Sequence, residues 1–391
     1  MNVLYVSHCD FHGNSALHVL ALADQAAARG LSPAICVPDD VATFDDFGRR
    51  PYPVVGFEEA QEAAIPFPDG RRPDLVHAFT PREHVRRLTE AVVTRDGCRY
   101  LVHLEDNENV ILADAIGASV VERIAALPPE EGDALVGGRR THPVRAAAFL
   151  AGAAGVTAVV DTLLELGPKD VPAVVVWPGF DPAVLHLPQD VRQLRSRLRV
   201  SPDDFVLVYT GNIHASNLEE AQALYTAVAL LRAAGRRVVL VKTGWNNVEM
   251  RWVRRLRVRR AVRDLGFVHR ERVWEALAVA DALVQPGSPG PFNDYRFPSK
   301  LPDFLASGKP VIMPRTNIGR YLRDGVHALL LERGDAEEIA AAVERVLADP
   351  ELASRLGAAG RDFALRELSW STTVEPLFEL YEQMGRAARR A

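Results

Sequence analysis

The residues best placed to do chemistry are Arg296-Phe297-Pro298-Ser299-Lys300-Leu301-Pro302-Asp303, which stand between the apolar runs Ala282-Leu283-Val284 and Val311-Ile312. The stretch reads as strand, Gly/Pro-rich loop, helix, strand. Ser299 suits the N-cap and Gly308 the position just past the helix end. With Ser299 as cap, Pro302 falls where it forfeits no intrahelical bond, and Lys300 and Leu301 leave N–H groups pointing out of the helix. Such an end attracts anions; Lys300 adds a full charge, and Asp303, one turn in, can accept from ribose hydroxyls. The combination suits a nucleoside diphosphate. An ordinary capped helix with a solvated lysine would show the same residues, but composition tilts the choice. Lys169, Lys242, Lys300 and Lys309 are the only lysines among 46 Lys and Arg, so Lys300 reads as a position that needs a compact point charge.

A second group follows the strand pattern Arg99–Leu104. Glu105-Asp106-Asn107-Glu108-Asn109 puts consecutive polar residues at a strand's carboxyl end, where α/β sheets line their ligand crevice. His103 faces the same way as Glu105, two residues earlier. A solvated acidic turn is the alternative. A third group is the loop His8-Cys9-Asp10-Phe11-His12-Gly13 after the opening strand at 2–7. His8, Cys9, Asp10 and His12 match no standard metal-ligand spacing and read as polar lining.

The elements that must position these groups alternate strand and helix along the whole chain. The 391 residues are 48% hydrophobic and 25% charged, room for two domains of ordinary size. A net charge of −5 argues against nucleic acid as the main partner. Cys9, Cys36 and Cys98 form no disulfide or metal pattern. The N-terminus enters a strand without a basic signal region and no apolar run spans a bilayer, so a cytoplasmic protein is expected. Strands are expected at 33–37, 73–80, 156–160, 205–210 and 238–241, with a helix over 16–28 and another over 336–348. Residues 39–72 read as an irregular excursion and 188–202 as a charged helical connector. Arg251 to Arg263 holds seven arginines among apolar residues. That run reads as an amphipathic helix with a solvated basic face, allowing at most peripheral membrane contact.

Residues 281–312 resemble the nucleotide-sugar site of retaining glycosyltransferases of the GT-B fold, family 4, in the variant Arg-x-Pro-Ser-Lys-Leu…Gly-x-Pro-Val. The resemblance extends over nearly the whole chain and is most specific at 281–312 and 174–181. It implies an α/β architecture of two Rossmann-like doubly wound domains facing a cleft. An acceptor domain would span 1–187, with the helix at 366–391 crossing back to it and Trp370 anchoring the crossing; a donor domain would span 188–365. Of the family's two acidic residues, Asp303 takes the second place; the first falls on Tyr295, with Asp294 beside it. Glu105 stands where the family has a sugar-facing histidine, and Asp106 keeps the family's aspartate. Asn212 and Asn217 stand where the family carries an Arg and a Lys for the diphosphate, so neutralisation passes to Lys242, Arg296 and Lys300.

The resemblance therefore implies a sugar transferred from a nucleoside-diphosphate sugar to a glycan, lipid-linked or small-molecule hydroxyl, without metal or other cofactor. Glu105, Asp106, His103 and Lys300 are the catalytic candidates. Gly13, Gly211, Asn212, Asn217, Lys242, Phe267, Val268, Asp294, Arg296, Ser299, Lys300, Leu301 and Asp303 are the donor-binding candidates, Phe267 and Val268 because Leu265-Gly266-Phe267-Val268 resembles the family's short strand, expected over 265–268, whose backbone reads the base. His77 reads as structural. Two rivals stay open: a nucleotide-sugar epimerase or hydrolase on the same fold, and a degenerate subunit that binds a nucleotide sugar or glycan without transfer. Base, sugar, acceptor, linkage and oligomeric state are not specified by these residues.

Overall fold

The computed structural model describes residues 1–254, 256 and 258–388. They divide into two compact units. The first holds Met1–Pro178, the short segment Tyr295–Phe297 and the chain from Trp370; the second holds Gly179–Asp294 and Pro298–Ser369. The change of unit after Pro178 precedes the boundary expected near Leu187, and the excursion of Tyr295–Phe297 into the first unit has no counterpart in the sequence pattern.

In the first unit, strands β1 (Asn2–Val6), β2 (Ser32–Val37), β3 (Val54–Gly56), β4 (Leu75–Phe79), β5 (Arg99–Leu104), β6 (Gly155–Ala158) and β7 (Ala173–Val175) form one sheet. Its order is β3-β2-β1-β4-β5-β6-β7, and the pairings are parallel. Continuous apolar strands buried along their length, as β1 and β4 are, require cover on both faces, which the intervening helices provide. Strand order reverses between β1 and β4, so the loops after β1, β4 and β5 gather at the place where doubly wound sheets bind ligands. The excursion at 39–72 is more ordered than its composition suggested: it contains β3 and the helix Phe57–Glu62.

The second unit repeats the plan with β8 (Phe205–Thr210), β9 (Val238–Thr243), β10 (Val262–Asp264), β11 (Ala282–Val284), β12 (Val311–Pro314) and β13 (Leu329–Leu331), in the order β10-β9-β8-β11-β12-β13. Its reversal lies between β8 and β11. The helix Ala336–Ala348 shows how local signals set boundaries: the Asp335 side chain accepts the Glu338 N–H at 2.8 Å, and the Glu338 carboxylate accepts the N–H groups of Glu332, Arg333 and Gly334.

The arginine run differs from expectation. Arg251–Arg254 and Arg259–Ala261 are short 3-10 turns, the last arginine enters β10, and Arg255 and Arg257 lie outside the described residues. The apolar members decide this: Trp252 packs edge-on against Tyr225, and Val258 and Ala261 join the buried core. Arg263 donates to the carbonyls of Leu198, Arg199, Arg260 and Val262, so it is not part of a solvated face. Among the described residues no helix is long and apolar enough to cross a membrane.

The end of the chain belongs to the first unit. Val374, Leu377, Phe378, Leu380, Tyr381 and Met384 join Tyr5 and Phe79 in its core, and the Trp370 ring lies 6.3 Å from His18. A buried polar relay ties this segment to the sheet. His77 Nδ1 meets the Tyr381 hydroxyl at 2.7 Å, His77 Nε2 meets Thr157 Oγ1 at 2.9 Å, and His103 Nδ1 meets the same hydroxyl at 2.7 Å. Burial pushes the His103 pKa down to about 4 and that of His77 well below its ordinary value. Unfolded histidines take protons near pH 6.5, which the folded chain refuses until lower pH. The stability these neutral rings contribute is thus full above about pH 6.5 and declines as pH falls toward 4. Urea midpoints should drop over that interval, and the drop should be shallower in His77→Gln; identical slopes in the two proteins would show that His77 does not carry it.

Candidate functional site

The first unit gathers its chemistry at the carboxyl ends of β1, β4 and β5. The loop after β1 is tight because a Cβ on Gly13 would stand 2.3 Å from Cys9 Sγ; Gly13 is there for packing. It caps the helix Asn14–Ala28, whose first turn turns to Glu105. The Ser15 hydroxyl donates to Glu105 Oε2, and His18 Nδ1 lies 3.0 Å from Glu105 Oε1. An ionised carboxylate only accepts, so His18 carries its proton on Nδ1, and Ser15, with its one proton committed, accepts from His8 Nε2 at 3.1 Å. Glu105 is 8% exposed. Burial would raise its pKa, but the His18 bond and the His18, His103 and His8 rings hold it below the usual carboxylate range.

Each oxygen of Glu105 already holds a partner inside the protein, so the carboxylate ties the loops after β1 and β5 together. Asp106, its neighbour, accepts no hydrogen bond from any described residue and is half-buried. Burial pushes its pKa up to about 7, with Glu105 and Glu108 adding to the rise and Arg296 and Arg82 opposing it. Arg82 is itself engaged by both Glu108 oxygens at 3.0 and 3.1 Å. Arg296 lies in the segment that joins the first unit; its charge acts on Asp106. His103 is buried, with Nδ1 spent on Thr157. Ser15 and His18 escaped the sequence reading, although their spacing of three on a helix's first turn puts both on one face.

In the second unit the loop after β8 is built around two glycines. Gly211 has φ +151°, and a Cβ there would stand 2.5 Å from Lys300 Nζ and 3.1 Å from the Tyr209 hydroxyl. Lys300 Nζ lies 4.5 Å from the centre of the Tyr209 ring. Gly244, φ +96°, packs so closely that its Cβ would stand 2.5 Å from the Gly211 carbonyl. The ammonium of Lys300 therefore sits against bare backbone at the end of β8. Asn212 Oδ1 accepts the Trp245 N–H at 2.8 Å; Asn217 Oδ1 accepts the His214 N–H at 2.8 Å, and its Nδ2 donates to the Asn212 carbonyl at 2.9 Å. Both amides hold the loop, and only the Asn212 Nδ2 keeps its donors uncommitted among the described residues.

Other donor-binding expectations are revised. Lys242 is fully buried, donates to the Gly244 carbonyl at 2.5 Å and faces Asp264 at 3.6 Å; burial lowers its pKa. It is a structural lysine and not a phosphate ligand. The helix after Ser299 begins at Leu301, with Lys300 rather than Ser299 as cap, and the Leu301 N–H donates to the Pro298 carbonyl at 3.0 Å. That N–H is spent, because the chain enters the helix through a tight turn. Asp303 Oδ1 accepts the Asp181 N–H at 2.7 Å, while Arg270 pairs with Asp181 at 2.8 Å. Burial pushes the Asp303 pKa up to about 7, against the Asp181 N–H and Arg270. Asp294 accepts from the Gly290 N–H at 3.1 Å and from the Thr316 hydroxyl, so it shapes its own loop. The strand expected over 265–268 is loop, and β10 ends at Asp264. Val268 is half-buried and the Phe267 side chain is exposed. Among the described residues no group of three or more His, Cys, Asp and Glu could hold a metal ion.

Two doubly wound parallel sheets with these carboxyl-end loops define the GT-B fold. Similarity over the whole chain agrees: the Anabaena HepE protein, solved with UDP-glucose, covers 100% of this chain and 100% of its own at 16% identity and TM-score 0.71. Sucrose-phosphate synthase from Thermosynechococcus elongatus covers 99% and 100% at 16% identity and TM-score 0.71. Residues 204–349 match the model of the family described as "Glycosyl transferases group 1". The D-inositol 3-phosphate glycosyltransferase of Geodermatophilus obscurus is 30% identical over 241 residues, 56% of this chain and 50% of that protein. The chain spans about half the length of the curated relatives it matches.

Glu105→Gln tests the first cluster. The amide must present a donor to a site built of donors, and a buried hydrogen bond lost there costs about 1–3 kcal/mol. A urea midpoint lowered to that extent is expected; an unchanged midpoint would mean that Ser15 and His18 do not depend on the carboxylate.

Proposed function

We propose that this protein is a retaining glycosyltransferase that moves a hexosyl group from a nucleoside-diphosphate sugar to an acceptor hydroxyl, in the cytoplasm and without a metal cofactor. The observation that carries the reading is the ammonium of Lys300 seated against the bare backbone of Gly211 at the carboxyl end of β8, a fixed cation where such sheets bind ligands. The group 1 domain over 204–349 and the glycosyltransferase relatives support the same class. The named neighbour bound to UDP-glucose makes a uridine nucleotide the first donor to try.

In the reaction the sugar C1–phosphate oxygen bond breaks with its electron pair passing to the diphosphate. The acceptor oxygen bonds to C1 on the face just vacated, and its proton passes to a leaving phosphate oxygen. The chain's part is to stabilise charge gained by the diphosphate, the task of Lys300, whose position is fixed before substrate arrives. Asp106 suits the acceptor hydroxyl: its carboxyl is not tied to protein donors, and its pKa near 7 lets it receive a hydrogen bond at neutral pH.

A second reading has its own support. Asn217 is spent on the loop, Asn212 is neutral and Lys242 is buried, so the positions that the resemblance gives to diphosphate cations supply none, and a unit with Lys300 alone would bind a nucleotide sugar without transfer. Incubation of the protein with UDP-glucose and a panel of sugar and polyol acceptors separates the two, because only the enzyme gives an acceptor-dependent product.

Lys300→Ala should weaken binding of UDP and of inorganic diphosphate alike, by about 1.5–3 kcal/mol for a charge-assisted contact. Calorimetric titration checks this, and parent-like affinity for both ligands would remove the main support for the proposal. The pH profile bears on Asp106: it is protonated below about pH 7 and ionised above, so transfer should rise through that pH. Asp106→Asn should lower the rate and flatten the rise; an unchanged profile would assign the titration to another group.

A further inference from the structure

Three loops of the second unit surround a cavity of about 520 Å³, and no residue named above as a catalytic or donor-binding candidate lines it. The loop after β8 and the first turn of the helix Leu218–Ala233 form one wall, the loop after β11 from Gly287 to Asn293 a second, and Arg333-Gly334 after β13 the third. β11 is the neighbour of β8, with β12 and β13 beyond it. The cavity therefore lies on the side of β8 turned away from β9 and β10.

Its walls are fixed by ties between the loops. Asn293, 6% exposed, donates from Nδ2 to Glu220 Oε1 at 2.5 Å and to the Ser288 carbonyl at 2.9 Å, which joins the second wall to the first. A Cβ on Gly334 would overlap the Gly287 carbonyl, so the third wall meets the second through bare backbone, with φ +66° at Gly334 and +147° at Gly287. The Gly334 N–H is held at 2.7 Å by the Glu338 carboxylate, and the turn Ala215–Asn217 by the bond from the His214 N–H to Asn217. A space kept open in this way is pre-formed, and its volume is that of a small-molecule site.

The groups facing it are hydroxyl, carboxylate and apolar. Ser216 and Glu219 are exposed, and neither side chain hydrogen-bonds to another described residue. Glu220 adds a second carboxylate, while the charge of Arg333 is met by Asp335 at 2.6 Å. The carboxylates turn away phosphates and other anions. Pro289, Pro291 and Phe292 bring apolar surface to the same space. A sugar ring matches this mixture, because its hydroxyls donate to carboxylate and exchange bonds with serine while its C–H faces cover the prolines and the phenyl ring.

We propose that this cavity is a second ligand site, for a neutral saccharide, separate from the Lys300 ammonium. It goes beyond the nucleotide-sugar reading and does not require it, since it holds a sugar that carries no phosphate.

The test uses the full chain, with glucose, galactose, mannose, N-acetylglucosamine, maltose and cellobiose as probes, read by saturation-transfer NMR and by titration. At least one of them should bind at millimolar concentration. In Ser216→Ala/Glu219→Ala its affinity should fall roughly 10-fold or more, as expected for a lost hydrogen bond to a charged group. Glu219→Gln alone keeps an acceptor oxygen and should lose less. Both side chains are exposed, so urea midpoints should match the parent, and affinity for inorganic diphosphate should stay at the parent value. Binding of none of the six sugars overturns the site, as does parent-like sugar affinity in the double variant. Displacement of the sugar by UDP-glucose and not by UDP also overturns it, because the cavity would then be the place of the donor's own sugar. If the parent binds neither UDP-glucose nor UDP, the nucleotide-sugar reading falls, and the six sugars still decide the saccharide site.

Discussion

A Cβ on Gly211 would stand 2.5 Å from the ammonium of Lys300, so the end of β8 meets that charge with backbone alone. The second unit depends on that constraint. A side chain at Gly211 would collide with Lys300, and one at Gly244 would collide with Gly211 itself; both also hold backbone angles that L side chains avoid. Once the two backbones lie this close, their carbonyls and N–H groups need partners, and the asparagines provide them. An Arg or Lys at Asn212 or Asn217 has no acceptor atom and could not receive the N–H of Trp245 or His214. The loop is held by amides, and the ammonium of Lys300 stands against it.

The first unit works on a different principle, two neighbouring carboxyl groups pulled apart in acidity by their surroundings. Ser15, His18 and, through Ser15, His8 supply donors to Glu105 and keep it charged. Burial makes a charge on Asp106 expensive, and the charge on Glu105, one residue away, adds to the cost. Asp106 so acquires its near-neutral pKa from its surroundings. Their environments separate the two groups: Glu105 stays ionised, and Asp106 titrates near neutral pH.

How far the sequence could be read depended on whether an element carries its own signals. β5, β8 and the helix Ala336–Ala348 end where their patterns end, because alternation, the Asp335 cap and the following Pro350 are local. The arginine run gave the opposite result. Its apolar residues fit a helical period, yet Trp252, Val258 and Ala261 are drawn to the core of the second unit, a tertiary effect that local pattern does not contain. Placing β10 at 265–268 also concealed the fate of Lys242. In the actual register Asp264 is paired with Lys242 across β10 and β9, and that neighbour lets the lysine be buried. Without the register, Lys242 looked like any cation at a strand's end.

The candidate site shows the same division. Lys300 and Asp106 were legible as positions because each stands at the entry to a helix after a strand. Glu105 was legible as a position and not as a role, since nothing in a linear pattern says that the first turn of a helix some ninety residues earlier in the chain will fill both its oxygens. Trp245 had no signal at all: a tryptophan after a glycine is ordinary until its exposure and its stacking on Phe267 are known. What marks it out is a conflict between levels, since large aromatic rings favour the core and this pair stays in water.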